Sequence, residues 1–258
     1  MTEENYDWLK KIIENSGHPV SLKISTILQR KGWFVGNGVR YPSPQEPDIL
    51  KEIDIIGSKR SKLFPEANNE LIIECKKQKD PWIFFKQNRK IDTIYTLNPN
   101  RESYLYNYVN LSKENERRFK KHYYYGKDLC TYYLVGGKKN EKGGPGATID
   151  HAINQVYNAL KFSIRQSCGD FTDFPALFYP IIVFDGELYE ANYKNEELEI
   201  KKSNHSYLQF DVEFNKPEKM ERIGTGKLDS VLLSKPYVID IVKIEYFEKF
   251  LGEIEHKI

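Results

Sequence analysis

Asp54 lies in the stretch EIDIIG, and Glu74 and Lys76 close the stretch NELIIECK, so two acids and a base stand in short apolar runs that should be buried. Hydrolysing a phosphodiester needs an activated water, charge relief on the phosphoryl oxygens and help for the leaving group. Hard divalent cations held by carboxylates supply much of this. An Asp and a Glu on adjacent strands can hold Mg²⁺ and leave positions open for water and phosphate. A lysine two residues beyond the Glu projects to the same side, where it can orient the attacking water and offset developing negative charge. The acid-x-Lys triplet is weak alone in a chain with 37 acidic and 39 basic residues. Its weight comes from context: it ends an Ile-rich run, and Asp54 sits 20 residues earlier on another.

For these side chains to meet, the two runs must be neighbouring strands. Both are short, Ile-rich and bounded by turn formers. Period-two alternation puts Glu52 and Asp54 on one face, with Ile53 and Ile55 on the other. In the second run Ile72, Glu74 and Lys76 share a face, opposite Leu71, Ile73 and Cys75. Upstream, residues 4–15 and 20–31 have helical spacing. The second carries Val20, Ile24, Ile27 and Leu28 as one stripe, and Gly32 ends it. WFVGNGVRY then reads as a strand interrupted by glycine.

Downstream, residues 148–166 are the clearest helix, with Ile149, Ala152, Ile153, Val156, Ala159 and Leu160 in a continuous apolar stripe. ALFYPIIVFDGELYEANY reads as two strands joined in a hairpin at Asp185-Gly186. CTYYLV, SYLQFDVEF and PYVIDIVKIEYF supply further strands, and EYFEKFLGEIE a closing helix. Between the acid-bearing strands and the long helix lies an irregular segment. It holds the aromatic PWIFFKQ, a candidate helix SKENERRFKKHYYY capped by Ser112, and the loop GGKKNEKGGPGA. That loop lacks the GK[ST] of a phosphate-cradling Walker loop. The order of elements implies a mixed α/β layer fold.

Composition narrows the classes. At 258 residues the chain suits one large domain, or one domain with a sizeable insertion, and 40% hydrophobic residues suffice for a packed core. The longest apolar runs fall well short of the roughly 20 residues that span a bilayer. The N-terminus MTEENYDWLKK does not read as a signal peptide, and a soluble, cytoplasmic protein is expected. Cys75, Cys130 and Cys168 form no CxxC pair, and the five histidines have no metal-ligand spacing, so zinc is not supported. His18, before Pro19, is read as a loop residue. Net charge is only +2, but residues 110–142 carry nine basic side chains against four acidic ones, which suits a polyphosphate backbone or a solvated lysine-rich surface. The tyrosines in YLYNYVN and HYYYGK could stack bases or simply pack.

EIDIIG followed by LIIECKK, with the preceding helix VSLKISTILQRKGWFV, resembles the PD-(D/E)XK, or restriction-endonuclease-like, nuclease superfamily. The resemblance extends to the helix around Gln155 and the strand YPIIVFDG, about 150 residues in all. It implies a single nuclease-like domain over 1–258: a restriction-endonuclease-like α/β core with a mixed central sheet flanked by helices. A basic, Tyr-rich insertion at about 81–147 would lie between the motif strand and the following helix. It implies cutting of nucleic acid with Mg²⁺, with Mn²⁺ as the expected substitute. Asp54 and Glu74 would be metal ligands with the backbone carbonyl of Cys75, and Lys76 the base-like catalytic residue. Gln155 would touch the site, although no Tyr follows it at the expected four-residue spacing, so an ordinary half-exposed Gln stays open.

Ile53 replaces the proline of the motif's name. A literal Pro47-Asp48 lies upstream in a polar stretch, and Asp54 is preferred on strand context. Residues 19–31 lack the acid many relatives carry in the first helix; Ser21 and Lys23 stand there instead. Glu52 would substitute as a ligand or be a surface carboxylate. The expected function is therefore a Mg²⁺-dependent endodeoxyribonuclease in bacterial defence or DNA processing. DNA is expected over RNA, no membrane is involved, and a homodimer or a larger defence complex is admitted. The alternatives are a non-catalytic nucleic-acid-binding or scaffold protein of the same fold, and a structural Glu74–Lys76 ion pair. Target sequence, strand preference and endo- versus exonucleolytic action are not encoded in any motif.

Overall fold

The computed structural model describes residues 6–16, 18–43, 46, 48–62, 65, 67–90, 96–97, 121, 125–136, 146–169, 176–210 and 237–256. Four helices are seen: α1 (Asp7–Asn15), α2 (His18–Arg30), α3 (Gly146–Gly169) and α4 (Phe247–His256). The strands are β1 (Phe34–Pro42), β2 (Leu50–Arg60), β3 (Asn68–Lys77), β4 (Trp82–Lys90), β5 (Thr96–Leu97), β6 (Asp128–Val135), β7 (Ala176–Asp185), β8 (Leu188–Lys194), β9 (Glu197–Lys202), β10 (His205–Phe210) and β11 (Tyr237–Lys243). They form one mixed sheet in the order β1-β2-β3-β7-β11-β10-β6-β4-β8-β9, with β5 pairing β7 off this path. The fold is mixed α/β. None of the described helices is long and apolar enough to cross a membrane.

Strand β7, ALFYPIIVFD, is a near-continuous apolar run because it is covered on both faces, as parallel central strands are; its first nine residues are all buried. It runs parallel to β3 on one side and to β11 on the other. One core lies under α2 and α4, where Ile24, Leu28, Phe247 and Leu251 meet Ile55, Ile73, Ile181 and Val242. The other lies under α3, where Ile153, Val156 and Leu160 meet Ile53, Ile72, Ile182 and Ile241. Each buried aliphatic chain contributes about 1.5–3 kcal/mol, and α3 is held through the stripe expected of it.

The Asp185-Gly186 turn is not a hairpin. β7 and β8 do not pair; β8 instead runs parallel to β4 and antiparallel to β9. The parallel pair β3/β7 turns a shared corner and continues as β4/β8. At that corner the Gln78 N–H donates to the Asp185 carbonyl (3.2 Å) and the Trp82 N–H to the Glu187 carbonyl (2.9 Å). The Trp82 ring stacks on Phe184 with centroids 3.9 Å apart. A Cβ at Gly186 would lie 2.4 Å from Phe184 Cζ and 2.6 Å from the Gln78 carbonyl oxygen, so only glycine fits the close approach.

Within residues 81–147, β4 and β6 are built into the sheet, between β10 and β8. The candidate helix in SKENERRFKKHYYY, the stretch YLYNYVN and most of the loop GGKKNEKGGPGA lie outside the described residues. β9 was not foreseen: ELEIKK has every residue exposed and carries too many charges to read as a strand.

Candidate functional site

β2 and β3 are antiparallel neighbours, but their ladder stops at Ile55 opposite Ile73. Asp54 falls just outside it. On the β1 side the ladder pairs Asn37 with Ile55 and Val39 with Ile53, omitting Gly38, which has φ +57°, and Asp54 between them. The register is the same on both sides of this missing pair. Ile53 enters the core under α3 while Ile55 enters the opposite one, so the two do not share a face as simple alternation requires. In place of a ladder bond, the Cys75 N–H donates to Asp54 Oδ2 (2.7 Å). A strand residue's N–H and C=O point to the same edge, so the Cys75 carbonyl is directed toward Asp54 as well.

Glu74 and Lys76 lie on the α3 side of β3, as their spacing with Ile72 implies. Glu74 is only 2% exposed. Its Oε1 pairs with the Lys76 ammonium; its Oε2 is buried and accepts no hydrogen bond among the described residues. Burial raises the Glu74 carboxyl to about 7, the nearby Asp54 charge adds to this, and Lys76 opposes it. Asp54 is half-buried and also raised, chiefly by burial, against the lowering effect of the Cys75 N–H and Lys76. Two carboxylates that repel one another, one with a dry unpartnered oxygen, fit a divalent cation.

Gln155 on α3 completes the cluster. Lys76 Nζ donates to Gln155 Oε1 (3.0 Å), and Gln155 Nε2 donates to the Glu52 carbonyl (3.3 Å). The Glu52 side chain is exposed and ion-paired to Arg40 (3.6 Å), although its charge is felt at Asp54. Asp48 lies in a turn before β2. Among the described residues no group of three or more His, Cys, Asp or Glu is gathered to hold a metal ion. Asp54 and Glu74 are the two carboxylates placed to face a cation here, and a Mg²⁺ ion would need further oxygens from backbone, water or substrate.

Three neighbours were not singled out from sequence. Tyr41 is buried; its hydroxyl donates to the Gln155 carbonyl (3.2 Å), and burial with the Glu74 charge raises it to about 12. His18 is the first residue of α2, not a loop residue, and stands near enough to Asp54 for a protonated ring to lower its carboxyl. His151 is exposed on α3, with its pKa lowered by partial burial and by Lys76 and Lys51. Nothing in a one-dimensional pattern marks these three, since β1, α2 and α3 bring them in from separate parts of the chain.

Away from these residues, a cleft of about 350 Å³ is lined by Lys86, Asp128, Glu190, Lys201, His205 and Tyr207, among others. Its charges answer one another: Lys86 and Lys201 lie 3.1 and 3.6 Å from Glu190, and His205 Nε2 lies 2.7 Å from the buried Asp240. No family model matches the chain, and neither a curated protein nor a solved structure matches it.

Proposed function

We propose that this protein is a metal-dependent nuclease with a restriction-endonuclease-like core, acting on DNA as an endonuclease. The observation that carries the reading is the buried Glu74 carboxylate, with one oxygen lacking a partner, set beside Asp54 and Lys76. A Mg²⁺ ion at this point would supply charge relief on the phosphoryl oxygens and acidify a bound water. Asp54, Glu74 and the Cys75 carbonyl would hold it.

The rest follows from the chain's own groups. Lys76 has three N–H donors; Glu74 and Gln155 take two, leaving one for the attacking water or a phosphoryl oxygen. Gln155, tethered to the Glu52 carbonyl, keeps the ammonium from swinging away. Tyr41 ties α3 to β1 beside the site. Lys51 and His151 flank Lys76 on the exposed side, where a nucleic-acid backbone would run. The basic stretch 110–142 that also favours a polyanion lies largely outside the described residues.

The test is cleavage of supercoiled plasmid, single-stranded DNA and RNA by purified protein with Mg²⁺, Mn²⁺ or EDTA. Asp54→Ala and Lys76→Ala are each expected to lower the rate by about 10²-fold or more. DNA retarded on a gel without cutting in any metal would support the non-catalytic binding protein instead. Neither cutting nor binding would leave Glu74–Lys76 as a structural pair.

A further inference from the structure

We propose that the outer edge of β9 is a self-association surface on which a second copy of this chain adds its own β9, antiparallel and across a two-fold axis. The surface is formed by strands other than those of the Asp54–Glu74 site and does not depend on the nuclease reading.

β9 ends the strand order, and all six of its residues are exposed. Its hydrogen-bond parity is set by its neighbour. The Ser203 N–H donates to the Leu188 carbonyl (2.9 Å), and the register with β8 pairs Lys201 with Glu190, Glu199 with Asn192 and Glu197 with Lys194. In an antiparallel ladder alternate residues bond inward. Glu197, Glu199 and Lys201 therefore face β8, whereas the N–H and C=O groups of Leu198, Ile200 and Lys202 point out from the edge. The turn agrees: Asn195 and Glu196 both have positive φ, 51° and 66°, as in a two-residue type I′ hairpin closed by an inward-bonded pair. Such an edge is a template for another strand.

Two-fold antiparallel pairing must set outward residues against outward residues, which leaves few registers. With Ile200 opposite its own copy, Leu198 lies opposite Lys202, and Glu199 lies opposite Lys201 twice. The next allowed register on one side sets Glu199 against Glu199 at the axis; on the other it sets Lys201 against Lys201. Like charges directly opposite are destabilising, so the order Glu-Leu-Glu-Ile-Lys-Lys selects the Ile200-centred register. Glu199 faces only Asn192 on β8 and has no ion pair among the described residues, so a partner's lysine meets an unmet charge. Lys201 already reaches Glu190, yet its side chain remains 68% exposed and can bridge to a second acid.

The apolar side chains of the edge point the same way. Ile200, Ala191, Phe85 and Tyr132 form a cross-strand row on one face, and Tyr193 pairs with Leu198 on that face. Tyr132, Tyr193, Leu198 and Ile200 are all exposed. Joining two β9 edges makes these faces continuous across the axis, and contiguous exposed apolar surface of this kind marks interaction sites.

The experiment is sedimentation velocity with light scattering on the full chain, diluted over about 1–100 µM. Wild type, Glu199→Lys, Lys201→Glu and an equimolar mixture of the two variants are compared. Wild type is expected to dimerise, and each variant alone to raise the dimer Kd about tenfold or more by setting two like-charge pairs across the axis. The mixture is expected to recover the dimer, because each variant supplies the charge the other needs. Ile200→Pro removes an outward N–H and leaves the inward ladder intact, so it should also give a monomer with an unchanged circular dichroism spectrum. A wild-type monomer throughout, a dimer indifferent to all three substitutions, or a mixture that stays monomeric would overturn the proposal.

Discussion

Replacing Glu74 by Gln keeps the shape of the side chain and removes its charge, which separates a metal ligand from a structural ion-pair partner. The Glu74 carboxyl is raised from 4.5 to about 7 by burial and by Asp54. The folded state thus holds this proton more tightly than the unfolded state. Glu74's contribution to stability is fully present below pH 4.5 and lost as pH rises through 7. At pH 8 the difference amounts to roughly 3 kcal/mol, or a fall in Tm of about 6 °C for a domain this size. Gln titrates nowhere in this range, so Glu74→Gln should flatten that part of the profile in EDTA.

A cation at Asp54 and Glu74 would reverse the penalty. At a concentration of 100 times its Kd, Mg²⁺ should restore about 2.7 kcal/mol to wild type. The gain should be larger at pH 8 than at pH 5.5, because the carboxylate must be ionised to bind. The variant should show little of it. Absolute stability is a poor readout, since Gln also deprives Lys76 of its carboxylate partner. Differential scanning fluorimetry in Mg²⁺ and EDTA, across pH, reads both slopes. Wild type and variant melting in parallel at every pH, with no response to Mg²⁺, would refute the metal site and leave Glu74–Lys76 as a packing device.

Two further outcomes concern the scaffold. Glu70 is also raised to about 7, by burial, with the Ser58 hydroxyl donating to it at 2.6 Å and opposing the rise. Its contribution, too, is full below pH 4.5 and lost through pH 7, so Glu70→Gln should remove up to about 2–3 kcal/mol of pH-dependent destabilisation without changing the Mg²⁺ response; an unchanged pH slope in urea melts would count against it. Gly186→Ala forces a Cβ into Phe184 and the Gln78 carbonyl at the corner, and should lower the urea midpoint by the equivalent of about 1–3 kcal/mol or more. An unchanged midpoint would mean the corner is looser than its contacts indicate.

The sequence by itself determined which segments are strands and helices around the site. The stripe from Ile149 to Leu160 packs as α3, the Val20–Leu28 stripe as α2, and the Ile-rich runs as β2 and β3. It also determined that Glu74 and Lys76 share the face of Ile72, because period-two alternation is a property of one unbroken strand. Tertiary structure decided what lies between strands. Asp54 sits at a gap in the β1 ladder and just past the end of the β3 ladder, held by an N–H from Cys75, 21 positions away in sequence. The same Asp-Gly dipeptide that serves a hairpin serves a corner here, because β3 and β4 run beside β7 and β8 and claim their backbone hydrogen bonds. Tyr41, His18 and Gln155 reach the site only through packing of β1, α2 and α3. Local preference follows from neighbours within a few residues, whereas pairing and convergence follow from burying two faces of a sheet at once.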